Sequence, residues 1–375
     1  MKFRFPTKIE MADACGSASY VPKGLLLQWH ITERCNLRCS HCYQDVYGGD
    51  ELSSGQQLEV LEQFKSLLSL WRNEHQKPVK GHITITGGEP FVRKDFIPLL
   101  ETFVENRKLF SFAILCNGSY IDRPMAEYLS TLKPRFIQVS IEGTRETHDA
   151  IRGEGDFDKT VGAIRHLVRA GIDTLISFTA HRGNYKEFPE VAALGRKLKV
   201  TKVWSDRLIP NGSGENLHEQ MLSPEETREF FLIMDQSRRK SRWLGWNRTE
   251  IAMDRALQFF SGHGKPYHCT AGDSLITVQP NGDVYPCRRL PIHAGNLMET
   301  PLLDLYYQSP LFQSLRDKNR VSEGCKGCFY DKLCGGGLKC LSYAVTGDPF
   351  QKDPGCSHEE SAESSSPKIL ETSSI

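Results

Sequence analysis

The stretch LLLQWHITERCNLRCSHCYQ, residues 25–44, decides how the chain reads. Its first part is a short apolar run with aromatic and β-branched residues, the composition of a buried strand. Its second part places Cys35, Cys39 and Cys42 at C-x3-C-x2-C. That spacing lets one compact loop turn three thiolates toward a single point. Thiolates select soft or borderline metals, chiefly zinc or iron–sulfur clusters. A structural zinc site is closed by four ligands, and no further cysteine stands close by. Three thiolates on a four-iron cluster leave one iron open, which makes a chemical site. A zinc site completed by His41 or another residue is the competing reading.

Working outward, residues 25–215 alternate. Short strand-like runs recur at 82–86 (HITIT), 112–115 (FAIL), 136–141 (FIQVSI), 174–180 (TLISFTA) and 202–208 (KVWSDRL). Helical patterns lie between them. Leu58, Leu61, Phe64, Leu68 and Trp71 recur at spacings of helical period, as do Val161, Ile164, Val168 and Ile172. Ser54 with Gln57 reads as a capping box. Six strand–helix units imply parallel strands with right-handed crossovers. An α/β doubly wound sheet and an incomplete (β/α) barrel both satisfy the pattern. In either, the loop after the first strand lies at the carboxyl edge, where sites are built.

Residues 216–262 read as a charged helical bridge. Its run Arg238, Arg239, Lys240 and Arg242 reads as a solvated face. From 263 to 356 the alternation stops. A hairpin is expected at 276–287, turning at Asn281-Gly282, followed by Gly- and Cys-rich loops of a small α+β domain. Residues 1–24 form an extension, and the Ser-rich 357–375 a disordered tail.

Composition narrows the function classes. Lys+Arg 47 against Asp+Glu 46 gives a net charge of +1, so no bulk field points to nucleic acid or anionic lipid. No apolar run approaches the roughly 18 residues of a membrane helix. The start has no signal-peptide core. A soluble, cytosolic protein is expected. Twelve cysteines in 375 residues are too few for a disulfide scaffold. In a reducing compartment such cysteines bind metal or do redox chemistry.

Four successive strands end in polar or glycine signatures. Gly87-Gly88-Glu89-Pro90 ends the second, with glycines that admit a close ligand and a carboxylate for a cationic amine. Cys116-Asn117-Gly118 ends the third. Ser140-Ile141-Glu142-Gly143 ends the fourth, and Arg152 follows. With the triplet, these resemble the radical S-adenosylmethionine (SAM) superfamily over roughly residues 25–215. The resemblance implies a partial (β/α)6 barrel of the TIM type. It implies a [4Fe–4S] cluster on Cys35, Cys39 and Cys42, whose open iron SAM chelates. Gly87, Gly88 and Glu89 would face the methionyl amine. Asn117, Ser140 and Glu142 would lie along SAM, and Arg152 would meet a carboxylate. Reductive cleavage of SAM would give a 5′-deoxyadenosyl radical that abstracts hydrogen from substrate. The cofactors carry that chemistry, while the protein positions and shields. Glu142 stands where the family more often has Asp, and His41 where it has an aromatic.

Seven cysteines lie downstream, at 269, 287, 325, 328, 334, 340 and 356. Their spacing resembles the SPASM auxiliary-cluster domain, with x5 in place of x3 between Cys334 and Cys340. By that pattern Cys269, Cys287 and Cys340 hold one auxiliary [4Fe–4S] cluster and Cys325, Cys328, Cys334 and Cys356 a second, three clusters in all. The first is one ligand short. His263, substrate or water are the candidates for the vacancy.

Relatives of this kind modify ribosomal peptides or protein side chains through crosslinks, epimerisation or backbone excision. Arg288 follows Cys287 where formylglycine-forming relatives carry Asp, which argues against that activity. Cys116 is the candidate hydrogen donor for an epimerase, although a buried structural thiol is the plainer reading; Cys15 reads as an ordinary thiol. Tetrapyrrole or small-molecule substrates, and a non-enzymatic iron–sulfur carrier or zinc-stapled adaptor, are the alternatives. The 24 residues before the first strand are too few for the leader-binding module of many peptide maturases. A separate leader-binding protein or direct substrate capture is therefore expected. An external one-electron donor of flavodoxin or ferredoxin type is also expected.

Overall fold

A computed structural model describes residues 20–44, 46–73, 76, 79–243, 249–261 and 266–358. All six expected strands form: β1 (Gly24–His30), β2 (Lys80–Thr86), β3 (Phe110–Cys116), β4 (Ile137–Ser140), β5 (Thr174–Ala180) and β6 (Lys202–Arg207). They pair in parallel and in chain order. A doubly wound sheet reverses its strand order at a switch point. This one does not, so the winding is that of a partial barrel.

The crossover helices are α1 (Ser54–Asn73), α2 (Phe96–Glu105), α3 (Arg123–Leu132), α4 (Arg145–Arg152), α5 (Asp156–Arg169) and α6 (Phe188–Leu198). Alternation along the strands separates two environments. Leu25, Leu27, Trp29, Ile83, Ile85, Ile137 and Val139 join the hydrophobic core. Phe103 of α2 packs its ring against Trp29, Phe110 and Phe112. The opposite parity, including Gln28, Thr84, Gln138 and Trp204, faces a cavity.

Two local expectations shift. The reciprocal cap is Ser53 with Gln56, not Ser54 with Gln57: Ser53 N donates to Gln56 Oε1 at 3.0 Å and Gln56 N to Ser53 Oγ at 3.4 Å. The helix starts at Ser54, so its cap must precede it. Ser54 instead bonds Asp95. Leu58 is 45% exposed, while Gln57 is buried on the inward face.

The downstream chain extends the same sheet at both edges. β7 (Glu250–Ile251) joins β6 in parallel. This is a strand inside the expected helical bridge, whose helix is α7 (Pro224–Trp243). Thr249 Oγ1 donates to Val200 O at 2.7 Å and fixes the chain there. Of the basic run, exposed Arg239 and half-buried Arg238 pair with the buried Asp235 at 2.7 Å each, and the side chains of Lys240 and Arg242 lie outside the described residues. At the other edge β8 (Leu275–Val278) runs parallel to β1, then β9 (Asp283–Tyr285) and β10 (Gly295–Asn296) follow antiparallel. The hairpin turns with Gly282 at φ 91°, which favours glycine. The downstream hairpin thus covers what would be an open barrel edge.

Four short helices complete the described residues: α8 (Leu302–Gln308), α9 (Pro310–Arg316), α10 (Asp331–Cys334) and α11 (Lys339–Thr346). α8 fastens to α1, where Trp71 Nε1 donates to the Tyr307 hydroxyl at 2.7 Å and Gln63 bonds both Leu297 O and Leu302 N. Arg207 at the end of β6 forks onto Asp353 at 2.8 and 2.7 Å. No described helix is long and apolar enough to cross a membrane. Cys15, His263 and the tail from 359 onward lie outside the described residues.

Candidate functional site

The triplet loop is clamped at both ends by Arg93. Its Nη1 donates to Ile31 O at 2.7 Å and its Nη2 to Leu52 O at 2.6 Å. Glu51 and Asp95 pair with it at 3.3 and 2.6 Å. Nothing in the spacing of charges announced this role, because an arginine after a strand-end turn reads as surface.

Gly87 and Gly88 seat the same loop. Gly88 N donates to Thr32 O at 2.8 Å and Glu89 N to Arg34 O at 2.9 Å. A Cβ on Gly88 would stand 2.4 Å from Arg34 O, and one on Gly87 2.4 Å from Thr32 O. The close approach expected of a ligand is therefore made by the chain's own backbone, although both glycines also line the cavity. Glu89 is fully buried and accepts from Asn117 N at 2.7 Å and Phe91 N at 3.2 Å. It ties β2 to β3 behind the cavity wall. Burial pushes its carboxyl up to about 7. Asn117 Nδ2 reaches Asn36 Oδ1 at 2.9 Å and Cys35 Sγ at 3.9 Å, and Leu37 N points at the same sulfur at 3.4 Å.

On the other side Ser140 bonds Ser177 at 3.0 Å and lines the cavity. Glu142, buried behind it, meets Arg152 Nη2 at 2.6 Å, His41 Nε2 at 3.4 Å and Thr179 N at 3.0 Å. Burial would raise its carboxyl, but the charges of His41 and Arg152 override this and hold it well below the usual carboxylate range. The pairing of His41 with Glu142 links the two departures from the family pattern. Ser40 N also bonds Ile151 O at 3.0 Å, so the triplet loop is stitched to α4.

These walls enclose a cavity of about 550 Å³. Cys35, Cys39 and Cys42 line it, and so do Cys269, Cys287, Cys340 and Cys116. Seven described buried polar atoms lack a partner, and five of them lie on cavity-lining side chains: His41, His82, Arg152, Arg255 and Arg288. Buried polar groups are ordinarily satisfied, so this concentration marks a wall shaped for polar occupants. Cys325, Cys328, Cys334 and Cys356 line a separate, small hollow of about 20 Å³ with Tyr330 and Asp353. Burial pushes the thiols up, Cys39 and Cys325 to about 11 and Cys334 to about 12. Buried thiols become good ligands where a metal draws off the proton. Among the described residues no three His, Cys, Asp or Glu side chains converge tightly enough for a single ion. The cysteines are instead spread around two hollows, three plus three and four. Soft donors so arranged fit thiolate-bound clusters, and the polar cavity fits SAM beside the first three.

Comparison with known proteins agrees. The model of the radical SAM superfamily matches residues 29–195, and that of the SPASM iron–sulfur cluster-binding domain matches 269–329. The chain is 30% identical over 352 residues to the mycofactocin maturase MftC of Mycobacterium ulcerans, covering 88% of this chain and 87% of the relative. It is 25% identical over 350 residues to the AdoMet-dependent heme synthase of Methanosarcina barkeri, covering 88% and 95%. The fold matches that of Streptococcus suis SuiB bound to S-adenosylmethionine, with a TM-score of 0.69, 17% identity and coverage of 89% and 77%. The chain is a radical SAM enzyme, a member of that superfamily carrying a SPASM iron–sulfur domain.

Proposed function

We propose that this enzyme modifies a ribosomally made peptide or protein, beginning with hydrogen abstraction. One observation carries the reading: a single cavity is bordered by Cys35, Cys39 and Cys42 on one side and by Cys269, Cys287 and Cys340 on the other. A substrate segment there would face both cysteine sets. Bound clusters and SAM would supply reductive sulfonium cleavage and a hydrogen-abstracting carbon radical. Cys35, Cys39 and Cys42 would hold the SAM-binding cluster. Ser140 and Arg152 would line the SAM site, with Asn117 and Glu142 fixing the loop and Arg152 from behind. Gly87, Gly88 and Glu89 would hold that wall in place. Cys269, Cys287 and Cys340 would hold an auxiliary cluster open to the cavity. Cys325, Cys328, Cys334 and Cys356 would hold a closed one, giving three [4Fe–4S] clusters. Walls formed by Gln28, Thr84, Gln138 and Trp204 would exclude bulk water.

If the reaction is an epimerisation, Cys116 is the thiol outside the two hollow-forming sets among the described residues. It is buried, with its Sγ 3.9 Å from Gln138 O, and it lines the cavity. The proposal includes a separate leader-binding protein or direct substrate capture, an external flavodoxin- or ferredoxin-type donor, and a cytoplasmic setting. The resemblance to a maturase at 30% identity supports a peptide substrate. Anaerobic reconstitution should load about twelve irons per chain, four per cluster, and a strong reductant should release 5′-deoxyadenosine from SAM. Mass spectrometry of a co-expressed precursor peptide reads the modification, and an unaltered mass opposes the peptide reading. A tetrapyrrole substrate is the second reading. The arginine-rich lining described next and the resemblance to a heme synthase favour it.

A further inference from the structure

Six arginines border the cavity, against one described carboxylate, Asp206. Three are already paired: Arg152 with Glu142 at 2.6 Å, Arg207 with Asp353 at 2.7 Å and Arg289 with Asp206 at 2.6 Å. Arg135 is exposed. Arg255 and Arg288 each enclose an Nε that has no acceptor. Arg255 lies within electrostatic reach of Asp206, which Arg289 already holds. Arg288 has no described carboxylate near it; the charged groups acting on it are Cys42 and Arg289.

Its position bridges the two cysteine sets. It follows Cys287 in sequence, and its guanidinium lies 4.0 Å over the ring of Tyr43, which follows Cys42. A guanidinium held by its face keeps its in-plane donors for a carboxylate fork. His30, whose Nε2 is also without a partner, is close enough to feel its charge. A half-buried cation with an enclosed, unpartnered Nε and no described carboxylate beside it is costly, and the cavity leaves it a way to be met.

We propose that Arg288 receives a carboxylate of the substrate, so that the enzyme selects carboxylate-bearing substrates. The carboxylate belongs to a peptide, at a side chain or its C-terminus, or to a tetrapyrrole propionate. The proposal rests on the reading above that substrate occupies this cavity.

The test uses cluster-loaded enzyme with SAM, anaerobic and without reductant, and measures the Kd of matched probes. The amidated peptides Glu-Glu-Glu and Gln-Gln-Gln form one pair, and Gly-Gly-Gly as acid and as amide a second. Coproporphyrin III and its tetramethyl ester form the third. In at least one pair the acid should bind roughly 10–100-fold tighter, as a charged hydrogen bond allows, and that pair identifies the source. Arg288→Gln should bring the ratio near one, with Arg288→Lys between. The proposal is overturned if no pair differs in the wild type, or if the preference survives in Arg288→Gln. It is also overturned if Arg288→Gln weakens SAM binding or shifts the triplet's cluster spectrum while the preference stands, since Arg288 then serves the cofactor. If Arg288→Gln fails to load iron, the wild-type ratios and Arg288→Lys decide. Wild type that loads iron but does not cleave SAM under reductant defeats the parent reading instead, whatever the ratios.

Discussion

Asp353→Ala should separate the barrel from its downstream partner energetically. The Asp353 carboxylate is buried and accepts four hydrogen bonds: two from the Arg207 fork at 2.8 and 2.7 Å, one from Leu338 N at 2.8 Å and one from Gly355 N at 2.9 Å. Truncation leaves Arg207 buried without its direct partner, with only the Asp206 carboxylate, already held by Arg289, in electrostatic reach, and leaves two backbone donors unmet. Breaking a buried pair on one side costs about 3–5 kcal/mol. At roughly 2–4 °C per kcal/mol for domains of this size, the melting temperature should fall by about 6–20 °C. Calorimetry of the anaerobic, iron-loaded protein reads this directly, with the apoprotein as a second series. Asp353→Asn keeps one acceptor oxygen, for either Leu338 N or Gly355 N, and turns its amide NH2 against the other donor, so it should lose nearly as much. The double variant Arg207→Met with Asp353→Leu removes both charges and should recover much of the loss. A single variant melting within about 1 °C of wild type, or a double variant no better than the single, would refute the reasoning.

Gly88→Ala forces a Cβ to within 2.4 Å of Arg34 O and 2.8 Å of Glu33 O; it should cost the triplet's iron, about a third of the total, and abolish SAM cleavage. Gly55→Ala, where nothing lies within 4 Å, is the control and should be neutral or stabilising by about 1 kcal/mol. Cys35→Ala should end SAM cleavage, whereas Cys334→Ala should lose iron from the small hollow while SAM still binds, read by iron assay and equilibrium dialysis. His82 is held at about 4 by burial and then by the Arg135 charge, with Ser111 partly opposing. Its folded form is neutral, so stability is full above the usual 6.5 and falls as pH drops from there to about 4. His82→Asn should shrink the acid-induced loss in that window on denaturant titration, and an unchanged slope would count against it.

The strands were legible because each is a short apolar run with aromatic or β-branched residues, as in LLLQWHIT at 25–32, which needs no partner to be read. The triplet and the strand-end signatures were legible because metal chemistry and tight turns restrict residue type. What escaped was long-range. Arg93 clamps two backbone carbonyls, of Ile31 and Leu52, that are 21 positions apart, and no local pattern encodes such a pairing. Leu58 fits a helical stripe by spacing, yet Gln57 takes the inward face because the helix packs where Arg93 lies. Pairing of β8 with β1 joins residues about 250 positions apart, and a four-residue strand carries no signal of its neighbour. Arg288 read as one more arginine until its stacking on Tyr43 and its unpartnered Nε placed it on the cavity wall.

The two downstream cysteine sets differ in geometry as well as count. Four thiols surround a hollow of about 20 Å³, bounded by Asp353, the residue that pins Arg207. Three thiols stand on a cavity of about 550 Å³ that the barrel strands also line. A set of four thiols, enough to ligate a cluster fully, gains nothing from a large cavity. A set one ligand short in a closed hollow would leave a coordination position that nothing reaches. On the proposed ligand sets the missing ligand and the open cavity belong together, and the continuous sheet explains how β1 and the downstream cysteines meet there. β8 on the edge of β1 carries Cys269 and Cys287 to the mouth that β1 opens toward Cys35. The same pairing sets Arg288 over Tyr43, so the residue best placed to read a substrate's charge sits where the two cysteine sets come together.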